Sequence, residues 1–424
     1  MNSSAPKVLH KIAGREMINH VLNLSTQLKA KDTVVVVGKD MTTLEQAVAP
    51  VQTAVQSPAQ GTGDAAKVAF NALSPQKGTV LVLYGDVPLI SKNTCEALIH
   101  EQQKNDAAVA VLAFRTMNPA QYGRVVADEA GNIDKIVEFK DASEAEQKIN
   151  LCNSGIFAFD ASKLGQLLKT LTNDNAQGEY YLTDCVHLAR EKGWGCRMVE
   201  TVETEVVGVN NKQDLAVAEH LYQNAKRAEL LTAGVTMIDP NTVYLSYDTE
   251  IGDDVIIEPN VFFGPNVKVG NGVHIKAYCH LEDAVVGDTA IVGPFARLRP
   301  GTKLGTGTRI GNFVEIKNTT LGDGSKVNHL SYIGDADVGK NANLGAGTIT
   351  CNYDGFKKQK TTLGDGTFVG SNSTLVAPVT LGDNAYVAAG SLIRKDVTAD
   401  ALAHNKIDQI EKPGWTTEYK KKAS

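Results

Sequence analysis

Every sixth residue is apolar in the stretch Val292-Gly-Pro-Phe-Ala-Arg-Leu298-Arg-Pro-Gly-Thr-Lys-Leu304-Gly-Thr-Gly-Thr-Arg-Ile310-Gly311. The same six-residue period runs from Ile251 to Ile393, with small shifts of register and one longer insert after Thr348. Glycine often follows the apolar residue. A period of six fits neither a helix nor ordinary strand alternation. It indicates a parallel β-helix in which three hexads close one triangular coil. We expect the apolar residue to fill a narrow core and the glycine to permit a tight corner.

The composition is that of an ordinary soluble protein with more than one domain. The chain has 424 residues, 42% hydrophobic and 21% charged, and a net charge of −6. This charge argues against nucleic-acid binding, for which a basic face is typical. The longest apolar runs have the length of a strand and are too short to span a membrane. We therefore expect no nucleic-acid partner and no membrane partner.

Cysteine usage predicts a reducing compartment. The six cysteines are scattered, and none forms a CxxC pair: Cys95, Cys152, Cys185, Cys196, Cys279 and Cys351. Free thiols are favoured over a disulfide framework or a zinc site. Together with the absence of a recognisable signal peptide, this predicts a cytoplasmic protein.

Residues up to about 230 alternate predicted strands and helices. We expect a helix over Ile12–Leu28 and buried strands at Thr33–Val37 and Thr79–Leu83. Such alternation predicts a parallel or mixed sheet covered by helices, with ligands at the carboxyl ends of its strands. Tyr84-Gly85-Asp86 follows one of these strands directly. A long helix then leads to the coil, so we predict a first domain at 1–212, a linker helix at 213–234 and a coil domain at 235–424.

Several residues of the first domain each allow two interpretations. Asp86 could cap a helix or shape a turn, or it could hold Mg²⁺ against phosphates. Gly61-Thr62-Gly63-Asp64 could cradle a nucleotide through backbone N–H groups, or form a glycine-rich turn before a helix. Lys7 could contact phosphate or simply be exposed.

In the coil, the residues that depart from the repeat are the candidates for function. Arg299 suits a phosphate because its guanidinium fork matches phosphate oxygens, although a solvated surface arginine is the simpler alternative. His329 occupies an outward place in its hexad, where an imidazole could serve as a base near neutral pH. Glu315 lies a little over two hexads earlier and could orient that imidazole. The segment from Gly345 to about Thr361 leaves the repeat, either as a functional loop or as a plain insertion.

Taken in order, the motifs of the chain resemble those of the bacterial bifunctional enzymes of UDP-N-acetylglucosamine synthesis, over essentially the whole length. The shared runs are Pro6–His10, Gln56 with Gly61–Gly63, Leu83–Leu89, Tyr122–Arg124, Val137–Glu138, Asn153–Ile156, Gln177–Asp184 and Gly208–Asn211, followed by the hexapeptide coil. The resemblance implies a Rossmann-like nucleotidyltransferase domain followed by a left-handed parallel β-helix. It also implies acetyl transfer from acetyl-CoA to glucosamine-1-phosphate, then uridylyl transfer from UTP, for envelope polymers.

The resemblance implies a uridylyl site in the first domain and Mg²⁺ as its cofactor. Asp86 and Asn210 would hold the metal, and Gly61 and Thr62 would hold the uracil end. The nucleotide and sugar site as a whole would contain Lys7, Gln56, Gly61, Thr62, Tyr84, Gly85, Asp86, Gly123, Glu138, Asn153 and Asn210.

For the coil, the resemblance implies that His329 is the general base, assisted by Glu315 and by Ser371 at the thioester oxygen. Arg299, Lys317, Tyr332 and Asn343 would bind glucosamine-1-phosphate. Acetyl-CoA would contact Ala346, Asn352, Tyr353, Ser371, Ala389 and Lys406, the last at a position where the family usually has arginine. The family assembles as a trimer with acyl-CoA sites between subunits, so we expect a homotrimer.

One departure concerns the start of the sequence. The family begins with a strand and a glycine-rich loop, L-x-x-G-x-G-T-R-M, and Met1 aligns with the last residue of that loop. We expect either a true start further upstream, the favoured alternative, or a lost uridylyl activity that leaves an acetyltransferase alone. A coil used only as a binding scaffold is a third possibility, against which His329, Glu315, Lys317 and the Asn352–Tyr353 loop argue.

Overall fold

A computed structural model describes residues 1–406 and 408–423. The chain divides into two compact units, Met1–Gln223 and Asn224–Ser424. This boundary falls inside a helix, Lys212–Thr232, in the region where the sequence predicted a linker helix at 213–234.

The first unit is a mixed sheet with helices on both faces. Its strands are β1 (Lys11–Ile12), β2 (Arg15–Glu16), β3 (Val34–Gly38), β4 (Gln52–Gln56), β5 (Thr79–Val82), β6 (Val109–Arg115), β7 (Arg124–Ala127), β8 (Ile133–Val137), β9 (Leu151–Asp160) and β10 (Cys196–Thr201). Its helices are α1 (Met17–Gln27), α2 (Thr42–Val48), α3 (Thr62–Leu73), α4 (Lys92–Lys104), α5 (Glu144–Gln147), α6 (Ala161–Thr170), α7 (Asp184–Glu191) and the start of α8 (Lys212–Thr232).

The long strand β9 organises the main sheet, whose order is β10-β6-β9-β7-β8, with β5 also paired to β9. Strands β6 and β10 are parallel, whereas β9 runs antiparallel to β5, β6 and β7. Every residue of β6 from Val109 to Phe114 is buried, because α6 and α7 pack on one face and α4 on the other. Strands β3 and β4 form a separate parallel pair.

The predicted helix over Ile12–Leu28 begins too early. Residues Lys11–Glu16 form a small antiparallel hairpin, and α1 begins at Met17. The hairpin turn is made by Ala13 and Gly14, both with positive φ, at 48° and 83°. A left-handed pair of this kind cannot continue a right-handed helix, so the apolar period across it is misleading.

The second unit is a left-handed parallel β-helix with three flat faces. Face A contains β11 (Thr236–Met237), β13 (Ile256–Ile257), β16 (His274–Ile275), β19 (Ile291–Val292), β22 (Arg309–Asn312), β24 (Lys326–His329), β26 (Asn343–Leu344), β29 (Phe368–Val369), β32 (Tyr386–Val387) and β34 (Leu402–Ala403). Most paired residues are 17 or 18 positions apart, as in Arg309↔Lys326 and Ile291↔Arg309, close to the length of three hexads. The helix α9 (Trp415–Ala423) follows the coil.

Faces B and C meet where two long strands turn a corner. Face B contains β14 (Phe262–Phe263), β17 (His280–Leu281), β20 (Arg297–Leu298), β27 (Ile349–Cys351), β30 (Thr374–Val376) and β33 (Leu392–Ile393). Face C contains β12 (Glu250–Ile251), β15 (Val267–Val269), β18 (Ala284–Val286), β21 (Thr302–Leu304), β28 (Thr361–Leu363) and β31 (Val379–Leu381). Strands β23 (Glu315–Leu321) and β25 (Tyr332–Val338) begin on face B and end on face C.

The hexad positions behave as predicted, with one correction about glycine. Val292, Leu298, Leu304 and Ile310 are all at most 3% exposed and form one continuous core. Glycine after the apolar residue is required by the next coil more than by a tight corner. A Cβ on Gly287, for example, would lie 2.7 Å from a backbone carbon of Gly305, and Gly287 has no positive φ.

The corner between faces A and B carries an exposed apolar ladder that the repeat did not predict. Tyr278, Phe295 and Phe313 all have positive φ, and their rings stack with centroids 4.8 and 5.2 Å apart. Leu330 occupies the same corner one coil further on. Bulky residues in the left-handed region are unusual, and here stacking between coils accompanies the strained backbone.

We expect Ile316→Ala to lower the free energy of unfolding of the coil by about 2–5 kcal/mol, because it opens a cavity in a core that cannot collapse. Ile316 is fully buried on β23. Thr320→Ala, on an exposed position of the same strand, is the matched control and should change stability by less than about 0.5 kcal/mol. Urea unfolding followed by circular dichroism measures both, and equal effects would contradict the core assignment.

Candidate active sites

Three residues far apart in sequence meet beyond the carboxyl end of β5. The Lys7 ammonium donates to Asp86 Oδ2 at 2.5 Å and to Asn210 Oδ1 at 2.9 Å. Backbone contact strengthens this arrangement, since Val209 N–H donates to the Asp86 carbonyl at 2.9 Å. The Asp86 carboxylate therefore faces a lysine, and the alternative of a helix cap does not describe it. Two oxygens that converge on one cation also suit Mg²⁺, which prefers carboxylate and carbonyl ligands.

The glycine-rich segment forms the N-terminus of α3. Gly61 has φ 105° and caps a helix that starts at Thr62. A Cβ on Gly61 would lie 2.6 Å from the Tyr180 carbonyl oxygen, so only glycine fits. Gln56 reaches this turn with its amide, which donates to the Gly61 carbonyl at 3.0 Å and to Asp64 at 2.8 Å. Gly63 N–H of the first turn donates to the Tyr180 carbonyl at 2.8 Å, so this end of the helix favours an anion mainly through the helix dipole.

Gly123, Glu138 and Asn153 come together on adjoining strands. Asn153 N–H donates to the Gly123 carbonyl at 2.9 Å, and a Cβ on Gly123 would lie 3.3 Å from Glu138 Oε2. Thr183 holds the other Glu138 oxygen at 3.0 Å. Burial raises the pKa of Glu138, although the Thr183 hydrogen bond opposes this. Because Gly123 has no Cβ, no side chain of this residue presses against the Glu138 carboxylate.

Tyr84 links these clusters. Burial raises its pKa to about 12, with a further contribution from Glu138, while a hydrogen bond with Thr62 opposes the shift. Its ring covers Gly155, where any Cβ would collide with it. The structure therefore brings the predicted residues of the first unit into one neighbourhood.

Asp184 is a residue of this neighbourhood that the sequence reasoning did not single out. It begins α7, and burial followed by the charge of Glu138 raises its pKa to about 6. The signal was available, because Asp184 ends the matched run from Gln177. Its burial against a second carboxylate was not visible without the fold.

In the second unit, four predicted residues stack in one column, one per coil. Gly347 N–H donates to the His329 carbonyl at 3.1 Å, Asn372 N–H to that of Ala346 at 2.7 Å, and Gly390 N–H to that of Ser371 at 2.8 Å. The column, which runs beside the corner of faces A and B, contains His329, Ala346, Ser371 and Ala389. Stacked strands are about 4.8 Å apart, so the column can accompany an extended ligand for about 15 Å.

The predicted sugar-phosphate residues lie mainly on face B. Arg299 directly follows β20, and Lys317 lies on β23 at the aligned position one coil later. Tyr332 is the first residue of β25. Lys358 of the inserted loop lies close to Lys317, and the contact between the two amines, followed by burial, lowers the pKa of Lys317. Asn343 belongs instead to face A, on β26. An anionic ligand between the two amines would offset the repulsion between their protonated forms.

Within one chain, Glu315 contacts Arg299 and not His329, so its expected role beside the imidazole stays a prediction. Its carboxylate accepts from Arg299 at 2.7 Å, and the register pairs Glu315 with Arg297 and Tyr332 on face B. The imidazole of His329 has Asn312 as its neighbour, with 2.7 Å between Nδ1 and Oδ1. Glu315 and His329 are a little over two hexads apart in sequence. Because one turn contains three hexads, this separation places them on different faces, on either side of a corner.

The inserted loop is tied to the coil through Asp335. Burial raises the pKa of Asp335, but hydrogen bonds from Asn318 and Asn352 outweigh it, so that the pKa is lowered overall. Tyr353 is exposed and donates to the Gly355 carbonyl at 2.6 Å. Lys406 is exposed. All six cysteines are free thiols, five of them buried, in agreement with the prediction. No helix in the described residues is long and apolar enough to cross a membrane.

The fold and sites define a two-domain transferase, with a nucleotidyltransferase unit followed by a hexapeptide-repeat unit. The family model described as MobA-like NTP transferase domain matches residues 1–144, and that of the bacterial transferase hexapeptide matches 248–282, 283–318 and 360–395. The chain is 49% identical to the Bifunctional protein GlmU of Paramagnetospirillum magneticum over 99% of this chain and 94% of that protein. It is 53% identical to that of Maricaulis maris, over 99% and 93%. The chain belongs to the bifunctional GlmU family.

Among solved structures, a CMP:2-keto-3-deoxy-manno-octonic acid synthetase complexed with CTP matches 53% of this chain and 95% of that one. It is 21% identical with a TM-score of 0.40, a likeness too low to support an argument.

We expect the wild type to lose stability relative to Asp184→Asn as the pH rises from about 4 to about 6. The ordinary pKa of this carboxyl is 3.8 and the folded value about 6, so the folded state holds the proton more tightly. Stability from this group is thus greatest below the lower value and is lost through the higher one. Thermal midpoints at about pH 4 and about pH 7 measure the change. The exposed Asp174→Asn is the control, and a difference that stays constant with pH would contradict the prediction.

Proposed function

We propose that the chain makes UDP-N-acetylglucosamine in two steps on two separate sites. The coil transfers an acetyl group from acetyl-CoA to glucosamine-1-phosphate. The first unit then transfers uridylyl from UTP to N-acetylglucosamine-1-phosphate and releases pyrophosphate. The observation that carries this proposal is the membership of the bifunctional family over 99% of the chain, and the contacts among Lys7, Asp86 and Asn210 support it. No observation on the described residues favours an acetyltransferase alone.

In the acetyl transfer, His329 acts as the base. The substrate amine attacks the thioester carbonyl of acetyl-CoA, His329 takes the proton, and the CoA thiolate leaves and is reprotonated. Ser371, two coils along the same column, donates to the thioester oxygen as negative charge develops there. Arg299, Lys317 and Tyr332 hold the sugar phosphate, supported by the basic neighbour Lys358. Ala346, Asn352, Tyr353, Ala389 and Lys406 contact acetyl-CoA, and Lys406 supplies charge without the bidentate fork of arginine.

In the uridylyl transfer, alignment and charge compensation dominate. A phosphate oxygen of N-acetylglucosamine-1-phosphate attacks the α-phosphorus of UTP, and pyrophosphate leaves with the electron pair. Lys7 offsets the repulsion between the two anions. Asp86 and Asn210 would hold Mg²⁺, which supplies further charge stabilisation when bound. Gly61 and Thr62 lie at the nucleotide, and Glu138 and Asn153 at the sugar.

A homotrimer is proposed as the active assembly. His329 and Asn343 lie on face A of the β-helix, whereas Arg299 and Lys317 lie on its face B. Flat faces of three coils can pack around a threefold axis, so that face A of one copy meets face B of the next. Such an arrangement would combine the base and the phosphate residues in one site. The free thiols support a cytoplasmic location for the reaction.

We expect two inactive variants to restore acetyl transfer when they assemble together. His329→Ala damages face A and the double variant Arg299→Ala, Lys317→Ala damages face B. Random assortment gives about one quarter of the sites both faces intact, and thus about one quarter of wild-type thiol release. The variants are unfolded and refolded together, and thiol release from acetyl-CoA with glucosamine-1-phosphate is measured. Each variant refolded alone is the control, and no recovery in the mixture would contradict a shared site. Full activity in His329→Ala alone would remove the base assignment.

We expect chelation to separate the two half-reactions. Removal of divalent cations with EDTA should abolish pyrophosphate release from UTP and N-acetylglucosamine-1-phosphate, because Asp86 and Asn210 hold the cation that offsets phosphate charge. Thiol release should persist, because the coil residues that bind its substrates are arginine, lysine and neutral side chains. Added Mg²⁺ should restore the first activity. Pyrophosphate release that resists EDTA would contradict the proposed metal site.

A further inference from the structure

His329 and Asn312 face each other across two successive coils of face A. The register pairs Asn312 on β22 directly with His329 on β24. Their side chains meet at 2.7 Å, between Asn312 Oδ1 and His329 Nδ1. Both residues line a cavity of about 430 Å³ on face A, beside the aromatic corner formed by Phe295 and Phe313.

The chemistry of this contact sets the tautomer of the imidazole. An amide oxygen only accepts hydrogen bonds, so the contact requires a proton on Nδ1. A neutral imidazole then has its lone pair on Nε2, the nitrogen left to accept a proton. A histidine base commonly depends on the group that holds its other nitrogen.

We propose that Asn312 is a positioning residue for acetyl transfer, which keeps His329 in the Nδ1–H tautomer and aims Nε2 at the substrate amine. This inference rests on the proposed role of His329 as the base. Asn312 acts through the imidazole and does not itself contact the reacting atoms.

An amide suits this role because the surroundings of His329 carry positive charge. Lys276 and Arg309 line the same cavity, and Lys326 lies on the same strand as His329. Among the described residues that line the cavity there is no carboxylate. Glu315 lies on face B, so in the proposed trimer it would reach the shared site only together with Arg299 and Arg297, whose charges offset its own. A neutral acceptor orients the ring without adding the negative charge that would favour the protonated imidazole.

The test compares Asn312→Ala with Asn312→Asp. The alanine variant should lower kcat for thiol release by about 10- to 100-fold with little change in KM, because the base is no longer oriented. The aspartate variant keeps the acceptor and should recover most of kcat at high pH. Its carboxylate stabilises the imidazolium, so the acidic limb of the pH profile should move to higher pH. Asn341→Asp, at an exposed corner away from the cavity, adds the same charge and should move neither.

Two further measurements keep the outcome decisive. The double variant Asn312→Ala, His329→Ala should be no slower than His329→Ala alone, because each change removes the same function, that of the oriented base. The ¹⁵N shifts of the His329 imidazole should show the Nδ1–H tautomer in wild type and its loss in Asn312→Ala. Independent, multiplying effects, or a tautomer unchanged by Asn312→Ala, would overturn the proposal. Absence of thiol release in the wild type would instead reject the proposed function, and the imidazole shifts would still decide the role of Asn312.

Discussion

The stacking of one coil directly on the next is the constraint on which the second unit depends. The core admits one apolar side chain per hexad, and the backbone of each coil leaves no room for a Cβ where Gly287 meets Gly305. Since the coils cannot slide, a residue 17 or 18 positions along the chain returns to the same place on the surface. The column of His329, Ala346, Ser371 and Ala389 is the direct result, even though the inserted loop lengthens one step to 25 residues, as in Asn343↔Phe368.

In the first unit, the candidate site is formed by residues from distant parts of the chain. Lys7 lies in a short 3-10 helix (Lys7–Leu9), Asp86 in the turn after β5 and Asn210 just before α8, and their side chains meet in one place. Burial raises the pKa values of Glu138 and Asp184 in the same unit, and the charge of Glu138 adds to the shift at Asp184. A site for two anionic substrates thus combines a cationic end near Lys7 with a part-buried acidic end.

The features that could be predicted from the sequence are those that depend on a local pattern or on a matched motif. The period of six predicted Val292, Leu298 and Leu304 as core residues because burial in a coil follows directly from spacing. The start of α1 was missed because the turn at Ala13–Gly14 interrupts an apolar period that otherwise continues. Partner choice was also out of reach: Glu315 and Asn312 are three residues apart, and only the position of the corner decides which of them meets His329. The aromatic ladder of Tyr278, Phe295 and Phe313 was hidden because left-handed corners normally favour glycine or asparagine.

The proposed base, His329, lies at the corner of faces A and B, where the repeat is least regular. Along a face, inward positions are reserved for the core and outward ones are flanked by identical neighbours above and below. At the corner, Phe313 and Leu330 have left-handed backbone conformations. The in-and-out alternation of side chains along the strand ends there. His329 precedes Leu330 there and can turn toward the cavity on face A. A rigid coil with one irregular edge therefore supplies both the fixed spacing and the freedom that a catalytic base requires.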